Sequence, residues 1–270
     1  MTAYQGLRLE RHGPVMHVQI NRPEKRNALN AVLWDELQRV FSEIDLQDDL
    51  RAVVLSGAGA HFSAGIDLAL LARIAAELGP DVGRNARLLR REILSLQAAL
   101  NAVEQCGKPV LAAIQGYCLG GAVDLIASCD MRYCTQDACF AIKEVDMGMA
   151  ADLGTLQRLP RLIGDGLLRE LAFTGREVDA QEASAIGLVN RVYAGQDTLL
   201  EGVLGLARQI AEKSPLAVSG TKRMLNYMKD HSIADGLEYV ATWNAAMLQS
   251  ADLKLAMAAA LNKQTARFND

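Results

Sequence analysis

No apolar run in these 270 residues is long enough to span a bilayer, and the opening segment MTAYQGLRLERHG has none of the apolar stretch of a secretory signal. A membrane span and an export route are therefore not expected, and a cytoplasmic setting is. Charge of one sign is also missing. The 28 Lys and Arg against 32 Asp and Glu are scattered rather than clustered and give a formal net charge of -4. Such a surface offers no electrostatic footprint for nucleic acid or an anionic membrane. Cysteine is confined: Cys106, Cys118, Cys129, Cys134 and Cys139 fall in one stretch with no C-x-x-C or Cys/His ligand spacing. Neither a disulfide framework nor a metal site is expected, and the five read as small buried hydrophobes in a reducing compartment. The four histidines supply no nucleophilic triad. His12 and His17 lie in or near an early strand, His61 precedes a turn and His231 starts a late helix, so all four read as structural or exposed. With no G-x-G-x-x-G and no Walker loop, a nucleotide phosphate cradle is not indicated.

What is present is a large apolar fraction, 50%, enough to fill a substantial core. Val15 to Asn21 alternates apolar and polar residues, and Ala52 to Ser56 and Val110 to Ile114 are short apolar runs; all three read as strands. Between the first and the second, Leu33, Leu37, Val40, Phe41 and Ile44 share one helical face, the spacing of a helix that covers a sheet. The start is β-β-α-β. From about Leu153 the pattern turns mostly helical, with segments 197-213, 215-229, 231-244 and 251-262 in series and Ser214-Pro215 as an N-cap with proline at the first helical position. The expected architecture is a mixed α/β core over residues 1-200 and a C-terminal helical region over 201-270.

Two glycine-containing segments each follow a predicted strand and open a predicted helix. One is His61-Phe-Ser-Ala-Gly-Ile-Asp-Leu68 and the other Gln115-Gly-Tyr-Cys-Leu-Gly-Gly-Ala-Val-Asp124. The first amides of a helix lack intrahelical partners, and glycine lets a ligand approach the backbone. Facing each other, two such turns would direct two N-H donors at one carbonyl oxygen. They can equally be ordinary strand-to-helix turns, with Asp67 as an N-cap. Three acids stand among apolar neighbours: Asp124 in Gly121-Ala-Val-Asp-Leu-Ile-Ala127, and Glu144 and Asp152 in the segment that follows. Burial there would raise their pKa values toward those useful for proton transfer. The alternative is that Lys143 pairs with Glu144 and that Asp152 caps the helix opening at Leu153.

Together these segments resemble the crotonase (enoyl-CoA hydratase/isomerase) superfamily over nearly the whole chain. The order is Arg22-Pro-Glu-Lys-Arg-Asn-Ala-Leu-Asn30, then Phe62-Ser-Ala-Gly-Ile-Asp67, then Gly116-Tyr-Cys-Leu-Gly-Gly-Ala-Val-Asp124. The resemblance implies a spiral of β-β-α turns, a C-terminal helical trimerisation region, a homotrimer or homohexamer, and an acyl-CoA thioester as substrate with no separate cofactor. It implies an oxyanion hole from the amides of Ile66 and Gly121. It also implies CoA contacts along Lys25, Arg26, Ala28, Ala64, Gly65, Ile66, Asp67 and Leu68.

The stretches Ile126 to Asp137, Lys143-Glu-Val-Asp146, Ala150 to Pro160 and Ala241-Thr-Trp-Asn244 are similar to the dienoyl-CoA isomerase branch of that family. Its acidic trio falls on Asp124, Glu144 and Asp152. The implied reaction moves a 3,5-diene to a 2,4-diene in unsaturated fatty acid β-oxidation, with Asp152 expected as base at C2, Glu144 as acid at C6 and Asp124 tuning the pair. Peroxisomal members end in Ser-Lys-Leu whereas this sequence ends Arg267-Phe-Asn-Asp270, which adds to the cytoplasmic expectation. The rival readings are an enoyl-CoA hydratase, which has two glutamates where Asp124 and Glu144 stand, and a non-catalytic acyl-CoA-binding protein.

Overall fold

The computed structural model describes residues 4-268. A six-stranded sheet runs in the order β1-β2-β3-β4-β6-β9, formed by β1 (Leu7–His12), β2 (Val15–Ile20), β3 (Ala52–Gly57), β4 (Val110–Ile114), β6 (Met131–Thr135) and β9 (Arg191–Tyr193). β1 pairs antiparallel with β2, and every other neighbour in this sheet is parallel. The crossovers build a second sheet, β5-β7-β8, from β5 (Tyr117–Leu119), β7 (Cys139–Ala141) and β8 (Val178–Asp179). β4 continues into β5 before α4 turns the chain back, and β6 continues into β7.

The central parallel strands are covered on both faces, which is why they read as apolar runs rather than as alternations. On one face lies α1 (Ala31–Asp45), capped by Asn30 accepting from the Leu33 amide, with Leu33, Trp34, Leu37, Val40, Phe41 and Ile44 buried. On the other lies α8 (Gln196–Ala211), whose Leu199, Val203, Leu204 and Ala207 pack against Val15, Ala52, Val54 and Leu111. The helices between them are α2 (Leu68–Ala76), α3 (Val82–Gln105), α4 (Gly121–Ala127), α5 (Thr155–Arg158), α6 (Asp165–Thr174) and α7 (Ala180–Ala185). The chain ends in α9 (Pro215–Tyr227), α10 (Ile233–Met247) and α11 (Ala251–Leu261).

Residue 200, the expected end of the core, falls inside α8. That helix is bound to the sheet by its apolar face, so the helices that leave the core begin after Ala211. Six strands, β1 and β5 to β9, had no mark in the pattern. β1 is an edge strand with half its side chains exposed, β5, β7, β8 and β9 have only two or three residues, too few to establish a period, and in β6 Arg132 breaks the apolar run. Four cysteines are buried, Cys139 is half-buried, and all five are free thiols.

Candidate active site

Construction of the site begins with Arg22 to Asn27. Arg26 and Asn27 both have positive φ, 50° and 56°, and the tight turn they make buries the Asn27 side chain. Its amide nitrogen donates to the carbonyls of Ala58 and His61, both at 2.8 Å, and its oxygen accepts from the Arg22 amide. The loop after β3 is thereby fixed to the turn. Isolated parallel bridges then hold the segment that follows between two neighbours, Leu29 with Ile66 and Ser63 with Cys118.

The register of the first bridge decides what remains free. Leu29 donates to the Gly65 carbonyl at 2.8 Å and accepts from Asp67 at 3.0 Å, so the Ile66 amide points away from Leu29. Gly121 is the first residue of α4 and has no carbonyl one turn earlier in that helix to bond. Among the described residues neither amide donates a hydrogen bond. The two loops touch closely: a methyl carbon on Gly121 would lie 3.6 Å from the Ile66 nitrogen, and one on Gly65, whose φ is +88°, would run into the Leu119 carbonyl. Two unused donors from separate loops, this near each other, can hold one oxyanion.

Asp124 lies on the first turn of α4 and is fully buried. One carboxylate oxygen accepts from the Thr155 amide at 2.6 Å, and the other has no hydrogen-bond partner among the described residues. Burial raises its pKa, Thr155 opposes the rise, and the charge of Asp152 adds to it. Glu144 follows β7, and its Oε1 stands against Gly120. Its Oε2 is shielded and unpartnered among the described residues. Burial first, and then the charge of Asp124, push its pKa up to about 7, with Asp152 contributing. Asp152 is half-buried, and burial raises its pKa as well. The three acids that the sequence singled out are thus brought together, each with its pKa raised by burial, and Glu144 raised to about 7.

Neither structural alternative accounts for Glu144 or Asp152. Lys143 turns instead to Asp146 at 3.1 Å and to the Gly175 carbonyl at 2.7 Å. The helix after Asp152 starts at Thr155 with Gly154 as its cap. For Asp67 the capping alternative holds. It accepts from the Ala69 amide and pairs with Arg22 at 3.0 Å, and against the upward push of desolvation these bonds hold its carboxyl below the usual carboxylate range. Lys25 and Arg26 are exposed beside the loop, with the Arg26 carbonyl accepting from Ala64 at 2.9 Å, and Ala28 and Leu68 flank the same segment.

Several supporting residues had no signal in the sequence. Gln97 of α3 donates to the Asp152 carbonyl at 2.6 Å. Arg158 donates to the Leu153 carbonyl at 3.3 Å and to Glu104 at 2.8 and 3.0 Å, and Glu104 also pairs with Lys229 of the C-terminal helices. These contacts span 55 and 54 residues along the chain, and only the packing of α3 against the loop creates them. A cavity of about 1340 Å³ between α3, α5 and the C-terminal helices reaches Leu153 and Gly154 but none of the three acids. It is the crevice separating core from helical region, and the chemistry lies outside it.

The sequence pattern that describes enoyl-CoA hydratase/isomerase matches residues 10–270. The chain belongs to that family. It is 50% identical over 268 residues to the Delta(3,5)-Delta(2,4)-dienoyl-CoA isomerase, mitochondrial, of Homo sapiens, covering 97% of this chain and 81% of the relative. It is 48% identical over 273 residues to the peroxisomal protein of that name from Arabidopsis thaliana, covering 99% and 98%. Among solved structures, an enoyl-CoA hydratase from Bacillus anthracis superposes with a TM-score of 0.89 at 30% identity, covering 98% of this chain and 99% of that one. The family fold, a β-β-α spiral with a helical C-terminal region, is therefore the fold of this chain. The cytoplasmic expectation is corrected by the same relatives, which are mitochondrial or peroxisomal. Charge balance and apolar patterning describe the folded enzyme domain, and that domain is shared across compartments, so composition could not report the organelle.

Proposed function

We propose that this protein isomerises 3,5-dienoyl-CoA to 2,4-dienoyl-CoA in the oxidation of unsaturated fatty acids. The observation that carries the reading is the convergence of three carboxylates with burial-raised pKa values and two unused backbone donors. In a 3,5-dienoyl thioester the C2 proton is acidified by the carbonyl and the diene. Its removal gives a dienolate with charge spread from the thioester oxygen to C6. The amides of Ile66 and Gly121 would stabilise that oxygen where charge develops, and such donors are commonly worth about 2.7–4 kcal/mol each. Protonation at C6 leaves double bonds at C2 and C4, and no atom is gained or lost.

The two acids are assigned in the order opposite to the one the sequence resemblance implies. C2 is bonded directly to the carbonyl carbon, so the group that acts there must stand beside the oxyanion loop. Glu144 lies on that side: a methyl carbon added to Gly120, the residue before the donor amide of Gly121, would lie 3.3 Å from its Oε1. Its pKa near 7 leaves a substantial fraction ionised and ready to accept a proton. Asp152, whose pKa is raised by burial, then serves C6, and the charge of Asp124 raises the basicity of Glu144. A coenzyme A thioester is the substrate and no cofactor takes part. Lys25 and Arg26, exposed at the loop edge, suit the phosphates of the CoA moiety, with Ala28 and the segment Ala64 to Leu68 along its path.

An enoyl-CoA hydratase would use two carboxylates to hold one water. Here Asp124 is shorter by a methylene than a glutamate and is tied to Thr155, and a third carboxylate stands in the same pocket. A non-catalytic binding protein would leave one buried and two half-buried acids idle at a cost in stability. For assembly, the large apolar side chains exposed on α9 to α11, among them Leu225, Ile233, Leu237, Leu248 and Leu261, support packing between copies as a homotrimer or a homohexamer.

Purified protein incubated with 3,5-octadienoyl-CoA should generate the ultraviolet band of a conjugated 2,4-dienoyl thioester, while crotonyl-CoA is hydrated slowly. Rapid hydration without the dienoyl band would make it a hydratase, and silence on both would leave a binding protein.

A further inference from the structure

The β1–β2 hairpin carries a second cluster of ionisable groups on the edge of the main sheet. In its antiparallel register Glu10 faces His17 and His12 faces Val15. Side chains two apart on a strand share a face, so Glu10, His12 and His17 stand together on the face toward α8. One ligand atom from each lies within 4.8 Å of the other two. Glu10 Oε1 and His12 Nε2 are 3.5 Å apart, matching the edge of about 3.4 Å for a tetrahedron whose corners lie about 2.1 Å from a central ion.

The hydrogen bonding leaves the cluster with lone pairs to offer. His12 Nε2 is shielded from solvent and has no hydrogen-bond partner among the described residues, a costly state for a polar atom. His17 is buried, and its Nε2 lies 2.8 Å from Ser56 Oγ. With Nε2 donating to that hydroxyl oxygen, the free lone pair of His17 stands on Nδ1. Outer partners fix the tautomer of metal-bound imidazoles in this way. Burial first, then the neighbouring His12, hold the His17 pKa at about 4, so no proton has to be displaced at neutral pH. Arg8 lies 4.0 Å from the other oxygen of Glu10, Oε2, and leaves Oε1 turned to His12.

We propose that Glu10, His12 and His17 bind one late first-row divalent ion, Zn²⁺ or its congeners Co²⁺ and Ni²⁺, at the outer edge of the sheet. Two imidazoles and one carboxylate are a donor set suited to these ions, and the solvent-facing side leaves a fourth position for water. The ion would clasp edge strand β1 to β2 and would play no part in the isomerisation. The ligands are separated as Glu-x-His-x4-His, a spacing that signals nothing until strand pairing folds it over.

The test uses full-length protein freed of any affinity tag, stripped with a chelator, and titrated with Zn²⁺ by calorimetry and with Co²⁺ by visible absorption. One ion per chain should bind, Co²⁺ should develop d–d bands of low coordination number, and the thermal midpoint should rise with metal concentration. Glu10→Gln and His12→Ala change side chains that are not in the core, and each should weaken binding at least about tenfold. His231→Ala, on the C-terminal helices, should leave it unchanged. No saturable binding by the unaltered protein, or binding that survives His12→Ala, overturns the site.

Discussion

Glu144 rests against Gly120: a methyl carbon added to Gly120 would lie 3.3 Å from Glu144 Oε1, on a residue whose φ of +51° already disfavours any side chain. This nearness couples the proposed oxyanion loop to the carboxylate proposed to serve C2, and both the space and the φ favour glycine. In Gly120→Ala the carboxylate and the loop must separate, and backbone strain of about 1–3 kcal/mol is added. The expected result is a folded protein, by circular dichroism, with kcat lower on the order of a hundredfold.

The pKa of Glu144, about 7, sets the acid side of the pH profile. As base it must be ionised, so kcat/KM should fall about tenfold per pH unit below that value. Asp124 contributes to the elevation through its charge. Asp124→Asn should therefore move the acid limb to lower pH, and an unmoved limb would show that Asp124 does not tune Glu144.

The same elevation has a consequence for stability. The folded state holds the Glu144 proton more tightly than the unfolded chain, whose carboxyl titrates near 4.5, so the carboxyl weighs increasingly against folding as pH rises from about 4.5 through about 7. Glu144→Gln removes that penalty. Its thermal midpoint should exceed that of the parent at pH 8, by about 2–4 °C for each kcal/mol relieved, and the advantage should vanish at pH 4.

Gln97 holds the Asp152 loop by its main-chain carbonyl and touches none of the three carboxylates by hydrogen bond. Gln97→Ala should lower kcat about tenfold through misplacement of Asp152, with KM little changed. Gln97→Glu, which cannot donate to the carbonyl when ionised, should fail to restore it. Equal losses in kcat and substrate affinity would point to a general disturbance of the pocket.

Much of this site could be read from local sequence, because its parts are local features. Gly65, Gly120 and Gly121 mark turns that need close backbone approach, and an acid such as Asp124 inside an apolar helix is conspicuous by its cost. The strands β2, β3 and β4 were equally legible, β2 as an alternation of apolar and polar residues and β3 and β4 as unbroken apolar runs, the mark of burial on both faces. What stayed hidden depends on distance in the chain. The Gln97 and Arg158 contacts to the loop, and the pairing of His17 with Glu10, exist only once distant or antiparallel segments have packed. The order of the two acids along C2 and C6 is not legible in the sequence for the same reason: both follow the oxyanion loop, and the nearness of Glu144 to Gly120 that supports the proposed order exists only in the packed fold.

The most direct test of the two-carboxylate account follows the C2 hydrogens of 3,5-octadienoyl-CoA in deuterium oxide by NMR or mass spectrometry, with Asp152→Asn and Glu144→Gln side by side. Asp152→Asn should still exchange C2 hydrogen for deuterium while forming no 2,4-diene, because Glu144 can make the dienolate and nothing can protonate C6. Glu144→Gln should show neither exchange nor product. Exchange that persists in Glu144→Gln and disappears in Asp152→Asn would contradict the account and return the C2 proton to Asp152.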